Sequence, residues 1–258
     1  MADPERGAGR VVFAFGRRRE PLAAKTVACN LGAVSRQIIV ADDHPLFREA
    51  MKAAVGRLDR GIGFVEADSV AAMLAAAEAN PGADLLLLDL NMPGAHGFNA
   101  LAHVRGSRPE LPVVIVSADD DPQTIAAALR FGAQGFIPKS TEAGQIGKAI
   151  EAVLAGEIYT PPGFHPPRAP ASSGEELEIA RRVADLTPQQ FRVLGMLCAG
   201  LLNKQIAYDL DVSEATVKAH VTAILRKLGV TTRTQAVLAA GRLATDRASV
   251  KPPPEEID

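Results

Sequence analysis

"LLLLDLNMPG", residues 85–94, sets four consecutive leucines ahead of Asp89. An uninterrupted apolar run of this length fits a strand buried on both faces, as in a parallel sheet covered by helices. In open α/β sheets, ligands bind at the carboxyl ends of the strands. Asp89 is therefore either a site residue or the polar stop of a strand. The ends of the other strands decide between the two.

From Gln37 onward, short β-rich runs alternate with alanine-rich stretches. Strands are expected at 37–41 (QIIVA), 62–66 (IGFVE), 84–89 (DLLLLD), 112–117 (PVVIVS) and 134–138 (QGFIP). Between them, "PLFREAMKAAVGRL" and "SVAAMLAAAEA" carry apolar residues three and four apart, as helices do. Such alternation predicts βαβ units, hence an α/β fold with a doubly wound five-stranded parallel sheet. In the flavodoxin-like order 2-1-3-4-5, strands 1 and 3 are neighbours whose loops diverge at the topological switch point.

That order gathers polar residues. Strand 1 ends "VADDHP", placing Asp42 and Asp43 at its edge; strand 3 ends at Asp89, strand 4 at Ser117, and strand 5 runs into Lys139. Three carboxylates converging on one pocket repel one another unless they share a cation or proton. Mg²⁺ takes oxygen ligands from a few carboxylates and keeps waters. A carboxylate beside it can attack a phosphoryl group and form an acyl phosphate. Ser117 and Lys139 can then bond phosphoryl oxygens. Singly, Asp42 or Asp43 reads as a helix cap, Lys139 as a solvated charge and Phe136 as core; together, five polar residues at four strand ends read as a site.

The remaining composition bounds the class. The 258 residues suit one large domain or two ordinary ones, and 47% apolar content is that of a globular protein. Two cysteines, Cys29 and Cys198, make neither a disulfide framework nor a metal cluster, in keeping with a reducing cytoplasm; Cys198 reads as a small core residue. No run reaches the roughly 18 apolar residues of a membrane span. "VVFAF" (11–15) has its "RRR" behind it, where a signal peptide has its charge in front. Residues 37–157 carry 9 basic against 16 acidic residues, whereas residues 185–247 carry 8 against 5. An acidic body and a basic module predict two domains with different partners.

Between them lies "YTPPGFHPPRAPASSGEE", with five prolines from 161 to 170, a linker by composition. The linker and a short helix, "ELEIARRVADL", are assigned to 158–184. Residues 1–36 show no sustained periodicity and are expected to be a flexible extension; 248–258 ("SVKPPPEEID" and its neighbour) are expected to be a disordered tail. From Leu186 the chain reads as four helices, at 188–199, 203–210, 214–228 and 233–244, with Thr187–Pro188 as a cap and first helical residue. In 214–228, Val217, Val221, Ile224 and Leu228 form a buried stripe that leaves Lys218, Ala219, Thr222 and Arg226 on other faces. A short helix, a tight turn and a longer basic helix make a helix-turn-helix, whose second helix enters the major groove. The bland alternative is a helical bundle with a solvated basic face.

Two resemblances sharpen these expectations. "IIVADDHPLFREAM", "DLLLLDLNMPG", "PVVIVSA" and "GAQGFIPKS" resemble a bacterial response-regulator receiver domain (37–157). The resemblance implies that Asp89 accepts a phosphoryl group from a sensor histidine kinase. It implies Mg²⁺ held by Asp43, Asp89 and the Asn91 carbonyl, with Asp42 assisting through water. Ser117, Phe136 and Lys139 match the switch hydroxyl, switch aromatic and lysine. "LTPQQFRVLGMLCAGLLNKQIAYDLDVSEATVKAHVTAILRKLGVTTRTQAV" resembles the LuxR-type helix-turn-helix of the NarL/FixJ response regulators (185–247). It implies promoter DNA as partner, with Lys218, Ala219 and Thr222 facing base edges and Asn203, Lys204, Thr216 and Arg226 facing phosphates. It also implies a homodimer when phosphorylated. Gln189, Gln190 and Arg192 stand where the family usually has first-helix acids and an arginine, so its usual salt bridge there is not expected.

The expectation is thus a cytoplasmic, phosphorylation-controlled transcription regulator, not an enzyme and not bound to membrane. The enzyme alternative is a hydrolase of the haloacid-dehalogenase kind, which carries a second aspartate two residues after the first; here that place is Asn91. A regulator that works without phosphorylation is the other.

Overall fold

A computed structural model describes residues 36–57, 61–167 and 173–243. The expected extension at 1–36 lies almost wholly outside the described residues, as does the expected tail at 248–258.

Five strands, β1 (Arg36–Ala41), β2 (Ile62–Ala67), β3 (Leu85–Asp89), β4 (Val113–Ser117) and β5 (Gly135–Pro138), form one parallel sheet in the order 2-1-3-4-5. Helices α1 (Pro45–Gly56), α2 (Val70–Ala79), α3 (Asn99–Ser107), α4 (Pro122–Arg130) and α5 (Ala143–Leu154) connect and cover it. The leucine run needs both faces. Leu85 and Leu87 point into the core under α1 and α5, while Leu86 and Leu88 join the core of the opposite face. Each fully buried leucine contributes about 1.5–3 kcal/mol, so this strand anchors the sheet at its centre.

The helical part is α6 (Ser173–Ala184), α7 (Pro188–Cys198), α8 (Asn203–Asp209), α9 (Glu214–Leu228) and α10 (Arg233–Gly241). Thr187 and Gln190 close a capping box at the start of α7, and Ser213 caps α9 through the Thr216 N–H. Gly229 ends α9 at φ 69°, and its Cα lies so close to the Arg182 guanidinium that a Cβ there would clash. Where the family's acids and arginine are replaced, Gln190 accepts a hydrogen bond from Lys227 at 2.8 Å, a neutral substitute that ties α7 to α9.

Two features go beyond the sequence reading. Tyr159, at the start of the proline-rich segment, bonds Gln134 and Phe136 through its backbone and so extends the β5 edge. The helical part also packs on the sheet domain through α3. The Phe98 N–H donates to the Leu243 carbonyl (2.8 Å), Asn99 Nδ2 to Ala240 (3.0 Å), and Gly106 lies against Ala184 so closely that any side chain there would collide. Arg130 of α4 pairs with Glu176 of α6 at 2.9 Å.

His103 sits in this seam, fully buried, its ring stacked 4.4 Å from Phe191. Burial pushes its pKa below the ordinary 6.5, against a weak contact with the Val183 carbonyl. The unfolded chain therefore takes up the proton first, and stability rises with pH wherever it does. Thermal stability is expected to fall as the pH drops below about 6.5, where unfolded histidine charges and buried His103 resists. Melting curves between neutral and mildly acidic pH measure this, and His103→Leu should flatten the slope. An unchanged slope in that variant places the acid sensitivity elsewhere.

Candidate functional site

The parallel register brings the ends of β1, β3, β4 and β5 to one edge. β1 leaves the sheet at Ala41, and the Asp42 N–H still bonds the Ala67 carbonyl, so Asp42 is held by the sheet and 2% exposed. Asp89 ends β3, paired in register with Val116, and its side chain is fully buried. Ser117 ends β4, also buried, and its Oγ accepts from the Asp119 N–H at 3.2 Å. β5 ends at Pro138, and the Lys139 N–H bonds the Ser117 carbonyl at 2.7 Å, which fixes the lysine beside the carboxylates.

Lys139 spans the site. Its Nζ lies 3.0 Å from Asp89 Oδ2 and 2.8 Å from Asp42 Oδ2, and sits over the Phe47 ring at 4.9 Å. Burial by itself would lower the lysine pKa, but its bonds to Asp42 and Asp89 outweigh that and raise it, so it stays charged. Burial pushes the Asp89 carboxyl up from its ordinary value, opposed chiefly by Lys139 and then by the Asn91 N–H on Oδ1 at 3.2 Å. The carboxylate is thus desolvated yet oriented from both oxygens, a nucleophile's setting. Asn91 is exposed beside it.

A member that the sequence reading left without a role is His44. Its N–H donates to Asp42 Oδ1 at 2.8 Å, and its Nδ1 lies 2.7 Å from Asp43 Oδ1. Ligand atoms of Asp42, Asp43, His44 and Asp89 all lie within 4.8 Å of one another. Two buried carboxylate oxygens of the set meet only a charged or titratable side chain, Asp43 Oδ1 the His44 ring and Asp42 Oδ2 the Lys139 ammonium. A set of carboxylate oxygens gathered this closely fits a hard divalent ion. "DDHP" held the signal for His44, since a residue three after a strand end can still share its edge.

Phe136 lies inside β5 with no exposed surface. In the helical part, Lys204, Thr216, Lys218, Ala219, Thr222 and Arg226 are exposed, and Asn203 is half-buried at the start of α8. Val217, Ile224 and Leu228 are buried, with Val221 packed against them, so the expected stripe and its outward faces are both present. Among the described residues, no helix is long and apolar enough to cross a membrane.

Comparison with known proteins covers both parts. The response regulator receiver domain matches residues 38–151, and the bacterial regulatory proteins of the luxR family match residues 184–240. A glycerol metabolism activator of Pseudomonas putida is 44% identical over 209 residues, covering 80% of this chain and 95% of that protein. The nitrate/nitrite response regulator protein NarL of Escherichia coli K12 is 32% identical over 202 residues, covering 78% and 93%. The solved structure of RcsB from Salmonella enterica serovar Typhimurium, bound to a promoter, is 22% identical with a TM-score of 0.47, covering 81% of this chain and 99% of that one.

Proposed function

Because this chain belongs to the response regulators that join a receiver domain to a LuxR-type DNA-binding domain, we propose that it regulates transcription in a two-component system, with Asp89 as its phosphoacceptor. The observation that carries this reading is Lys139 bridging buried Asp89 and Asp42 at the sheet edge, in a chain that also exposes a capped basic helix, α9.

Receiver domains bind Mg²⁺ at an acidic pocket of this kind; here Asp43, Asp89 and the Asn91 carbonyl would hold it, with Asp42 assisting through water, and it would supply charge neutralisation for the incoming phosphoryl group. A carboxylate oxygen of Asp89 attacks phosphorus, the bond to the donor's leaving atom breaks, and the acyl phosphate forms. The donor is a phosphohistidine of a sensor kinase, whose imidazole leaves with the bonding pair. Lys139 exchanges its contact with Asp89 Oδ2 for a phosphoryl oxygen, which keeps the ammonium paired throughout. The Ser117 hydroxyl donates to another phosphoryl oxygen, and Phe136 repacks behind it. Phosphorylation then shifts an existing equilibrium towards a DNA-binding homodimer in the cytoplasm. On DNA, Lys218, Ala219 and Thr222 face base edges, while Asn203, Lys204, Thr216 and Arg226 face phosphates.

DNA footprinting with and without acetyl phosphate and Mg²⁺ tests both domains at once. Protection that gains nothing from the phosphodonor removes phosphorylation control. Steady turnover of phosphate esters would instead favour a hydrolase. Ser117→Ala separates chemistry from signalling. The hydroxyl bonds the phosphoryl group in one state only, the differential contact that a switch requires. The variant is expected to take the label while losing the gain in DNA affinity. Parallel loss of both would make Ser117 part of the chemical site alone.

A further inference from the structure

Arg48, in the second turn of α1, stands outside the acidic cluster yet reaches its backbone. Its Nη1 donates to the Asp42 carbonyl at 2.7 Å, and its Nε donates to Glu66 Oε2 at 2.8 Å. The side chain is 14% exposed, more enclosed than the glutamate it pairs with. Glu66 belongs to β2, beside the strand that leads into Asp42, and a second cation, Lys52 Nζ, holds its other oxygen at 2.6 Å. Arg48 is therefore fixed from the β2 side and turned towards the β1 exit.

What it fixes there is a peptide plane. The Asp42 carbonyl and the Asp43 nitrogen belong to one rigid unit, so holding the oxygen sets the direction in which Asp43 leaves the sheet. The Asp42 N–H is already tied to Ala67 across the sheet. With both ends of Asp42 held, the angle between the two acidic side chains is no longer free. Carboxylates this close repel one another and, without restraint, would spread. A site already gathered need not spend binding energy on gathering.

We infer that Arg48 is a positioning residue for the divalent-ion site, fixing the Asp42–Asp43 peptide from a place where it touches no ligand atom. The inference rests on reading the acidic cluster as a Mg²⁺ site. The arginine and Glu66 form a neutral pair, so the effect is geometric and survives high salt, where a through-space charge effect would fade. Lys52 separates this from ordinary stabilisation. It pairs with Glu66, as Arg48 does, and also with Glu49, but bonds neither Asp42 nor Asp43.

The test is titration of the full chain with Mg²⁺ alone, followed by calorimetry, with thermal melting in EDTA alongside. Arg48→Met is expected to weaken Mg²⁺ binding roughly tenfold or more, as loss of outer partners of a metal site does, at low and high salt alike. Glu66→Gln should weaken it less, and Lys52→Met should leave it unchanged while lowering the melting temperature in EDTA as much as Glu66→Gln does. Arg48→Lys, which can reach only one of the two partners, should restore part of the affinity. If Asp43→Asn abolishes binding while folded Arg48→Met binds as the unaltered protein does, the inference fails and the site stands. If the unaltered chain binds no Mg²⁺, or Asp43→Asn changes nothing, the reading of the site fails and takes the inference with it. Should Arg48→Met not fold, unaltered affinity in both Arg48→Lys and Glu66→Gln overturns the proposal.

Discussion

Asp89→Asn is expected to leave the protein unlabelled by acetyl phosphate and Mg²⁺, where the unaltered chain takes one acid-stable, alkali-labile acyl phosphate. The change is isosteric, so the packing of β3 stays, but it removes two things together. The amide oxygen is a poor nucleophile, and the negative charge that would help hold the ion is gone. Lys139 keeps its ion pair with Asp42 at 2.8 Å, so the pocket does not collapse with the substitution. The fold should not suffer either, because burial already pushes the Asp89 carboxyl towards its neutral form. The expected pattern is total loss of label on an intact protein, read by intact mass and by melting. EDTA should abolish labelling of the unaltered chain. Label that persists on Asp89→Asn moves the nucleophile to another residue.

Asp89 was legible because a strand's burial and a strand's end leave separate marks in sequence. Four leucines can alternate between two faces only if both are covered, and the aspartate after them must then emerge at an edge. The same logic reached Asp42, Asp43, Ser117 and Lys139, each at a strand end, and the order 2-1-3-4-5 gathers them. Phe136 was less legible, since a fully buried aromatic on β5 serves a core as well as a switch.

The rest depends on which residues meet across the fold, and periodicity carries no mark of that. Arg48 falls on α1 like any polar helix residue; only the pairing of β1 with β2 brings Glu66 beside it. His103 sits in a helix of mixed character, and nothing in its neighbourhood names Phe191, 88 positions later, as its stacking partner. The docking of α3 on α6 depends on Gly106 lacking a side chain, which in sequence reads as a helix weakness. Tyr159 extends the sheet from inside a segment whose prolines signal a linker.

On DNA, two lysines are expected to fail in different ways. Lys218 stands near the start of α9, exposed, where a helix-turn-helix reaches base edges. Its one ion pair, with Glu214 at 3.3 Å, is exposed and holds it weakly, so it is free to exchange for a base. Its neighbours on that face offer little hydrogen bonding. Ala219 has none, and the Thr222 hydroxyl is taken up by the Lys218 carbonyl at 2.9 Å, which leaves its methyl for contacts with thymine. On the proposed reading, direct polar readout therefore concentrates on Lys218. Lys218→Ala is expected to cost roughly 1–3 kcal/mol on the cognate site and to relax preference at one or two base pairs. Lys204, exposed at the start of α8, suits the phosphate backbone, whose contacts carry affinity without sequence. Lys204→Ala should weaken all duplexes alike and flatten the salt dependence by about one counterion. Titrations on cognate and scrambled duplexes across a salt series separate the two. Uniform loss from both variants would mean that Lys218 reads no base, and that specificity comes from the methyl contacts or from the shape of the duplex.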